Sequence, residues 1–256
     1  MHSKLRAGIG SASVFILIIC SVALILPDLS LLYYINTFGV NVIFWDEWAA
    51  VPLAEKATNG TLSFSDLFAQ QNEHRVLFPR VASLAIGAPT GFNTVAEMFF
   101  GWVLASVMGL LIFCIYLKKS SCGKDPKRLL LFLPVSLLLY SFRGTEIILW
   151  GFPSLHYFLM LFGVVVTLIL LDVSKKIDVW FVLSFLSAIL ASFSFLFGLL
   201  VWPVGLLQVF SSSKRERDLR KPTLWCFVSV LVFFPISTNM SSPVIIPPFT
   251  LFCQTL

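Results

Sequence analysis

Two adjacent carboxylates, Asp46 and Glu47, stand between tryptophans in the run Phe44-Trp45-Asp46-Glu47-Trp48. Tryptophan settles at the headgroup level of a bilayer. An acid held there, partly out of water, can serve as a general base. The same residues also fit a plainer role, an interfacial aromatic anchor with solvated acids. A second patch runs from Ser65 and Asp66 to the polar residues Gln71, Asn72, Glu73, His74 and Arg75, then Phe78-Pro79-Arg80. Its cations His74, Arg75 and Arg80, with Asn72 and Glu73 beside them, suit a lipid phosphate, because the guanidinium fork matches phosphate oxygens in pairs. A solvated loop is the alternative. The third patch is Arg143, Glu146, Trp150 and His156. Arg143 reads either as a phosphate-binding cation or as a snorkelling anchor, and His156 as a hydrogen-bonded core histidine. No phosphate-cradling glycine loop, nucleophile elbow or zinc spacing occurs, so an activated substrate is expected to arrive within the membrane. The sequence leaves dependence on a divalent metal open.

The elements that must position these residues are membrane helices. Of 256 residues, 58% are hydrophobic and only 12% charged, with a mean hydropathy of +0.91. Soluble domains carry about 25% charged residues. The formal charge of +5 does not point to nucleic acid, because the cations fall in short clusters between apolar runs, which is the pattern that orients membrane proteins. The five cysteines lack paired spacing and mostly lie inside apolar runs, so they read as buried apolar residues.

The expected class is an all-α integral membrane protein of about seven spanning helices, forming one polytopic domain over residues 1–256. The first span is read at 8–26, ended by Pro27 and left uncleaved. Residues 27–92 form a large extracytoplasmic loop with interfacial helices, among them an amphipathic one at 76–88, too short to cross. The remaining spans occupy 93–240, at 93–117, 129–142, 147–171 and 224–237, with a helical hairpin at 179–210 interrupted by Gly198 and Pro203. Residues 241–256 are a short tail. With the N-terminus in the cytoplasm, every Lys and Arg except Lys56, Arg75, Arg80 and Arg143 falls on the cytoplasmic side of the plasma membrane. Asn59-Gly60-Thr61 and Asn239-Met240-Ser241 match a glycan-acceptor sequon that matters only in a eukaryotic secretory context.

The pattern Trp45-Asp46-Glu47-Trp48, Asn59-Gly60-Thr61-Leu62, Asp66-Leu67, Gln71-Asn72-Glu73-His74-Arg75 and Phe78-Pro79-Arg80 resembles the first outer loop of bacterial GT-C type membrane glycosyltransferases. Leu149-Trp150-Gly151-Phe152 and the stretch from Gly198 to Trp202-Pro203 resemble later segments of the same proteins, so the likeness covers about residues 40–210. It implies a donor, a polyprenyl-phosphate-linked sugar, and a glycan or lipid acceptor on the outer face. It implies Asp46 as general base, with Glu47 its nearest rival. Arg75, Arg80 and Arg143 would then hold the departing phosphate, and the anomeric carbon would invert. Relatives of this kind usually have more spanning helices, so the likeness is to a truncated or degenerate member, whose activity would then be in question. Two other classes compete. A lipid or solute transporter should carry ionisable residues deep in several spans, and here only Glu97 and His156 are candidates. A non-catalytic scaffold needs only the helices and should tolerate loss of Asp46, Arg75 and Arg80.

Overall fold

The computed structural model describes residues 11–72, 74–120, 127–216 and 219–237. In chain order they form α1 (Ser11–Phe38), a 3-10 turn (Trp45–Ala50), α2 (Val51–Thr58), α3 (Phe64–Phe68), the strands β1 (Gln70–Gln71) and β2 (His74–Arg75), α4 (Leu77–Thr90), α5 (Thr94–Lys119) and α6 (Lys127–Leu139). A 3-10 turn (Phe142–Gly144), α7 (Thr145–Ile148), α8 (Gly151–Val173), α9 (Val179–Ser192), a 3-10 segment (Leu196–Leu200), α10 (Val201–Glu216) and α11 (Arg220–Ser237) follow. Among the described residues, three helical stretches are long and apolar enough to cross a membrane: Ile18–Phe38, Thr94–Lys119 and Gly151–Val173. Shorter apolar helices lie at Leu129–Gly144, Val179–Ser192 and Leu196–Ser212. The protein is therefore helical and bears the apolar helices of a membrane-embedded chain. The N-terminal Lys4 and Arg6, most of the 118–128 basic loop, Glu73, Arg217, Asn239 and the 241–256 tail lie outside the described residues.

Two expectations need correction. The first helix does not stop at Pro27 but runs on to Phe38 with the proline inside it. Proline withholds an N–H from the preceding turn, and side chains serve the carbonyls nearby. Ser136 Oγ donates to the Leu24 carbonyl at 2.7 Å and Ser30 Oγ to that of Leu26 at 2.7 Å. The carbonyl that loses its helical donor is that of Ala23, four residues before Pro27, so these bonds brace the helix beside the proline without replacing the missing one. Residues 27–38 thus leave the loop and join the span. The second correction is small: the polar run 70–75 folds as an antiparallel hairpin, with Gln70 opposite Arg75 and Gln71 opposite His74. Asn72 turns its corner at φ +50°, a left-handed conformation that asparagine tolerates well.

The chain divides into two compact units, Met1–Val51 with Ser83–Phe158, and Pro52–Ala82 with Leu159–Leu256. In the first, α1 packs on α5 and α6 around Leu31, Ile35, Met98, Ala105 and Tyr140. Gly101, Ala105 and Gly109 lie four apart on one stripe of α5, and this small-residue spacing lets helices approach closely. A Cβ on Gly101 would overlap Ser154 Oγ, and one on Gly109 would overlap the Tyr140 hydroxyl.

In the second unit, α9, α10 and α11 enclose an aromatic core of Phe181, Phe185, Trp202 and Trp225. Both indoles are satisfied within it. Trp225 Nε1 donates to the Trp202 carbonyl and Trp202 Nε1 to Ser192 Oγ, each at 2.9 Å. Buried Lys221 donates to the carbonyl of Ser174, just past the end of α8, at 2.9 Å, a cation at the negative end of a helix dipole. The expected interruption at Gly198 is present, in the 3-10 segment that separates α9 from α10. There a Cβ would overlap the Ala191 carbonyl, so Gly198→Ala is expected to cost about 1–3 kcal/mol, read as a lower melting temperature of detergent-purified protein.

Candidate functional site

In the first unit, the strap that follows α1 is tied across the start of α5. Thr94 N–H donates to Asn41 Oδ1 at 2.9 Å and the Thr94 hydroxyl to the Val40 carbonyl at 3.3 Å. The strap then enters the Trp45–Ala50 turn, where Trp45 adopts φ +48°. A bulky residue in that region is strained by about 1–3 kcal/mol and persists only where its surroundings impose it.

Glu47 imposes it. Its Oε2 accepts from Phe44 N–H at 2.9 Å, closing the turn, and its Oε1 accepts from Phe152 N–H at 3.0 Å, in the first turn of α8. Helix N-termini present unpaired N–H groups and a partial positive charge, so a buried carboxylate is well placed there. Trp150 adds a second tie, with Nε1 donating to the Phe44 carbonyl at 3.0 Å and the two rings 5.3 Å apart. Burial pushes the Glu47 carboxyl up, opposed by the N–H groups of Phe152, Phe44 and Gly151. Glu47 is only 4% exposed, whereas Trp45 and Trp48 on either side are exposed. Asp46 belongs to the same turn, and its side chain is outside the described set.

A second buried acid reaches the same point. Glu97, in the first turn of α5, accepts from Ser83 Oγ at 2.5 Å. A Cβ on Gly151 would lie 2.8 Å from Glu97 Oε2, 2.8 Å from the Thr94 carbonyl and 3.1 Å from Glu47 Oε1. Only a residue without a side chain fits between the two carboxylates. Gly151→Ala should therefore loosen the turn and cost about 1–3 kcal/mol, seen as faster proteolysis after position 44 than in the wild type. Arg143, in the Phe142–Gly144 turn of the same unit, is exposed. The first and third patches read from the sequence thus meet in one unit through Phe44, Glu47, Trp150 and Phe152.

The second patch lies in the other unit, and there the guanidinium groups are used to build structure. Ser63 caps α3 with an Asp66 capping box, and Lys56 pairs with Asp66 at 2.5 Å. Lys56 and Ser63 hold the Asp66 carboxyl well below the usual carboxylate range. The carbonyls at the end of α3 are met from α4 and β2. Arg80 Nη1 donates to the carbonyls of Leu67 at 3.0 Å and Ala69 at 2.6 Å, with Asp66 at 3.3 Å, and Nη2 donates to Gln71 Oε1 at 3.3 Å. Arg80 is 5% exposed. Arg75 Nη1 donates to the Phe68 carbonyl at 2.7 Å, and its guanidinium lies over the Phe68 ring at 4.8 Å. His74 is buried, with its ring 5.0 Å from that of Phe195.

The Arg80 fork is thus engaged by main-chain carbonyls and shapes the loop. Arg75 is half-buried; Asn72 is exposed at the hairpin corner. Glu73 lies outside the described residues.

Comparison with family models, with curated proteins and with solved structures gives no match to this chain. Among the described residues no three His, Cys, Asp or Glu side chains gather to hold a metal ion. Two features escaped the sequence reading. Asp28 lies inside α1, where the extracytoplasmic loop had been expected to begin. Glu97 converges with Glu47 on Gly151 across a chain separation that no local pattern reports. The sequence signal for the latter was an acid four residues after the capping Asn93, and it pointed only to a helix start.

Proposed function

We propose that the chain is a multi-pass membrane protein of the GT-C glycosyltransferase type, acting at the outer face of the cytoplasmic membrane on a polyprenyl-phosphate-linked sugar. The observation that carries the reading is the strained Trp45 turn, clamped at both ends by Glu47 and flanked by exposed tryptophans. Strain that the fold maintains beside a candidate base is the kind of backbone feature that clusters at working sites. Asp46 takes the proton of an acceptor hydroxyl on a glycan or lipid as that oxygen attacks the anomeric carbon. The sugar–phosphate bond breaks with inversion, and its electron pair leaves on the phosphate oxygen. Arg143 offsets the charge that grows there, and Arg75 stays a separate phosphate-binding candidate. Glu47 is a positioning residue in this account, because both of its oxygens are already spent on backbone N–H groups.

The topology that goes with the reading has about seven spans, a cytoplasmic N-terminus and an outer loop that begins after Phe38. In a background with the native cysteines replaced by alanine, Gly60→Cys should react with an impermeant maleimide on intact cells, and Gly123→Cys only after permeabilisation. The reverse labelling would overturn it.

A second reading, movement of a lipid or solute across the membrane, is favoured by one observation. Asp28 falls at the centre of the Ile18–Phe38 stretch, so an ionisable side chain lies at the mid-depth of a span. Asp28→Asn should leave sugar transfer within a few-fold of wild type if the first reading holds, and should block transport if the second does. The scaffold reading is separated by Asp46 and Arg75 alone, since Arg80 is needed for the loop under any function.

A further inference from the structure

Within the first unit, α1, α5 and α6 leave a cavity of about 340 Å³, the size of a small-ligand site. Its walls are mainly aliphatic and aromatic, and the lining residues with polar side chains are Asp28, Ser21, Ser106, Ser136 and Tyr140. Ser106 Oγ donates to Asp28 Oδ1 at 2.7 Å, and Trp102 Nε1 donates to the Asp28 carbonyl at 3.3 Å. These contacts fix the depth of the acid twice. Asp28 is the midpoint of the stretch Ile18–Phe38, and Ser106 is midway along Thr94–Lys119. Phe113, Phe132 and Tyr140 line the same cavity, with Phe113 and Phe132 edge to face at 5.0 Å. Among the described residues no Lys, Arg or His lines the cavity.

A carboxylate in apolar surroundings is costly unless a cation meets it. Aromatic faces attract cations, more strongly once these are desolvated. A carboxylate and aromatic rings in one mainly apolar chamber, with no Lys, Arg or His among the described lining residues, favour a positive charge carried on an apolar body. We propose that this cavity binds hydrophobic monocations, such as an amine or a quaternary onium on an apolar frame, with Asp28 as counter-ion. The site shares no residue with the Trp45–Ala50 turn and stands whether or not the chain transfers sugars.

The test uses the full chain in lipid nanodiscs, with empty nanodiscs as the blank, and equilibrium dialysis of radiolabelled tetraphenylphosphonium. Radiolabelled tetraphenylborate, of the same shape and opposite charge, is dialysed in a separate parallel sample. The wild type is expected to hold the cation above the blank and the borate no more than the blank does. Asp28→Asn should weaken binding by about tenfold or more, as expected when a desolvated charge pair is lost. Leu110→Trp, at a cavity-lining position that is exposed and outside the packed core, should weaken it by filling the chamber while the melting temperature stays at the wild-type value. Absence of cation binding by wild type, equal retention of the borate, or unchanged binding in a normally melting Leu110→Trp protein would each overturn the proposal. If Asp28→Asn fails to insert, the Leu110→Trp and borate results decide alone.

Discussion

Asp46→Asn should lower sugar transfer by about 10²- to 10⁴-fold, the usual contribution of a positioned general base, while helix content and melting temperature stay at wild-type values. The selectivity of this effect follows from the division of labour in the turn. Glu47 carries the structural contacts, closing the turn on Phe44 N–H and capping α8 at Phe152 N–H, so an amide at position 46 removes proton affinity without touching either tie. Glu47→Ala should behave differently. It strips two buried N–H groups of their acceptor, at about 1–3 kcal/mol each, and so lowers melting temperature and transfer together. The check is transfer from a radiolabelled sugar–lipid pool in isolated membranes, run beside thermal melts of the same variants. Wild-type transfer by Asp46→Asn would remove the base assignment. Equal losses of stability in both variants would instead make the pair of acids a structural unit.

Arg80→Ala is expected to be among the most damaging single changes outside the membrane helices. The guanidinium serves the carbonyls of Leu67 and Ala69 and the Gln71 amide from a position 5% exposed. Hydrogen bonds to a charged group contribute about 1.5–3 kcal/mol each, and of the partners left behind Gln71 is buried. The expected loss is about 3 kcal/mol or more, enough to release the α3–hairpin segment to protease at low denaturant. Arg80→Lys should rescue little of it, because a single ammonium cannot replace a planar fork that reaches a carbonyl row and a side-chain amide together. Arg75→Ala, at a half-buried position where the guanidinium meets the Phe68 carbonyl and ring, should be milder for folding. That contrast separates shaping the loop from binding a phosphate, two roles that the sequence could not tell apart.

Helix length and apolarity were legible because they depend on composition over many residues. Helices lie at or near the places expected for the second, third and fourth spans, the short helix after residue 76 and the interruption at Gly198 are present, and Asn93 caps α5 where the polar-to-apolar switch puts a helix start. Pro27 misled because its cost is set by what surrounds it. Ser136, more than a hundred residues away, donates to a carbonyl beside it, and no local pattern carries that information. The functional patches were legible by residue type but not by partner. Asp46 and Glu47 look alike in sequence, and only the N-terminus of α8 tells them apart. Arg75 and Arg80 look alike too, until the open carbonyls at the end of α3 claim Arg80.

The most direct test of the account is mass spectrometry of lipids that co-purify with the protein in a mild detergent, comparing wild type with Arg75→Ala and Arg143→Ala. The account predicts enriched polyprenyl phosphate or its glycosylated form with wild type, reduced in both variants while their melting temperatures hold. The same bulk phospholipids in all three samples, with no polyprenyl species above the membrane background, would contradict it.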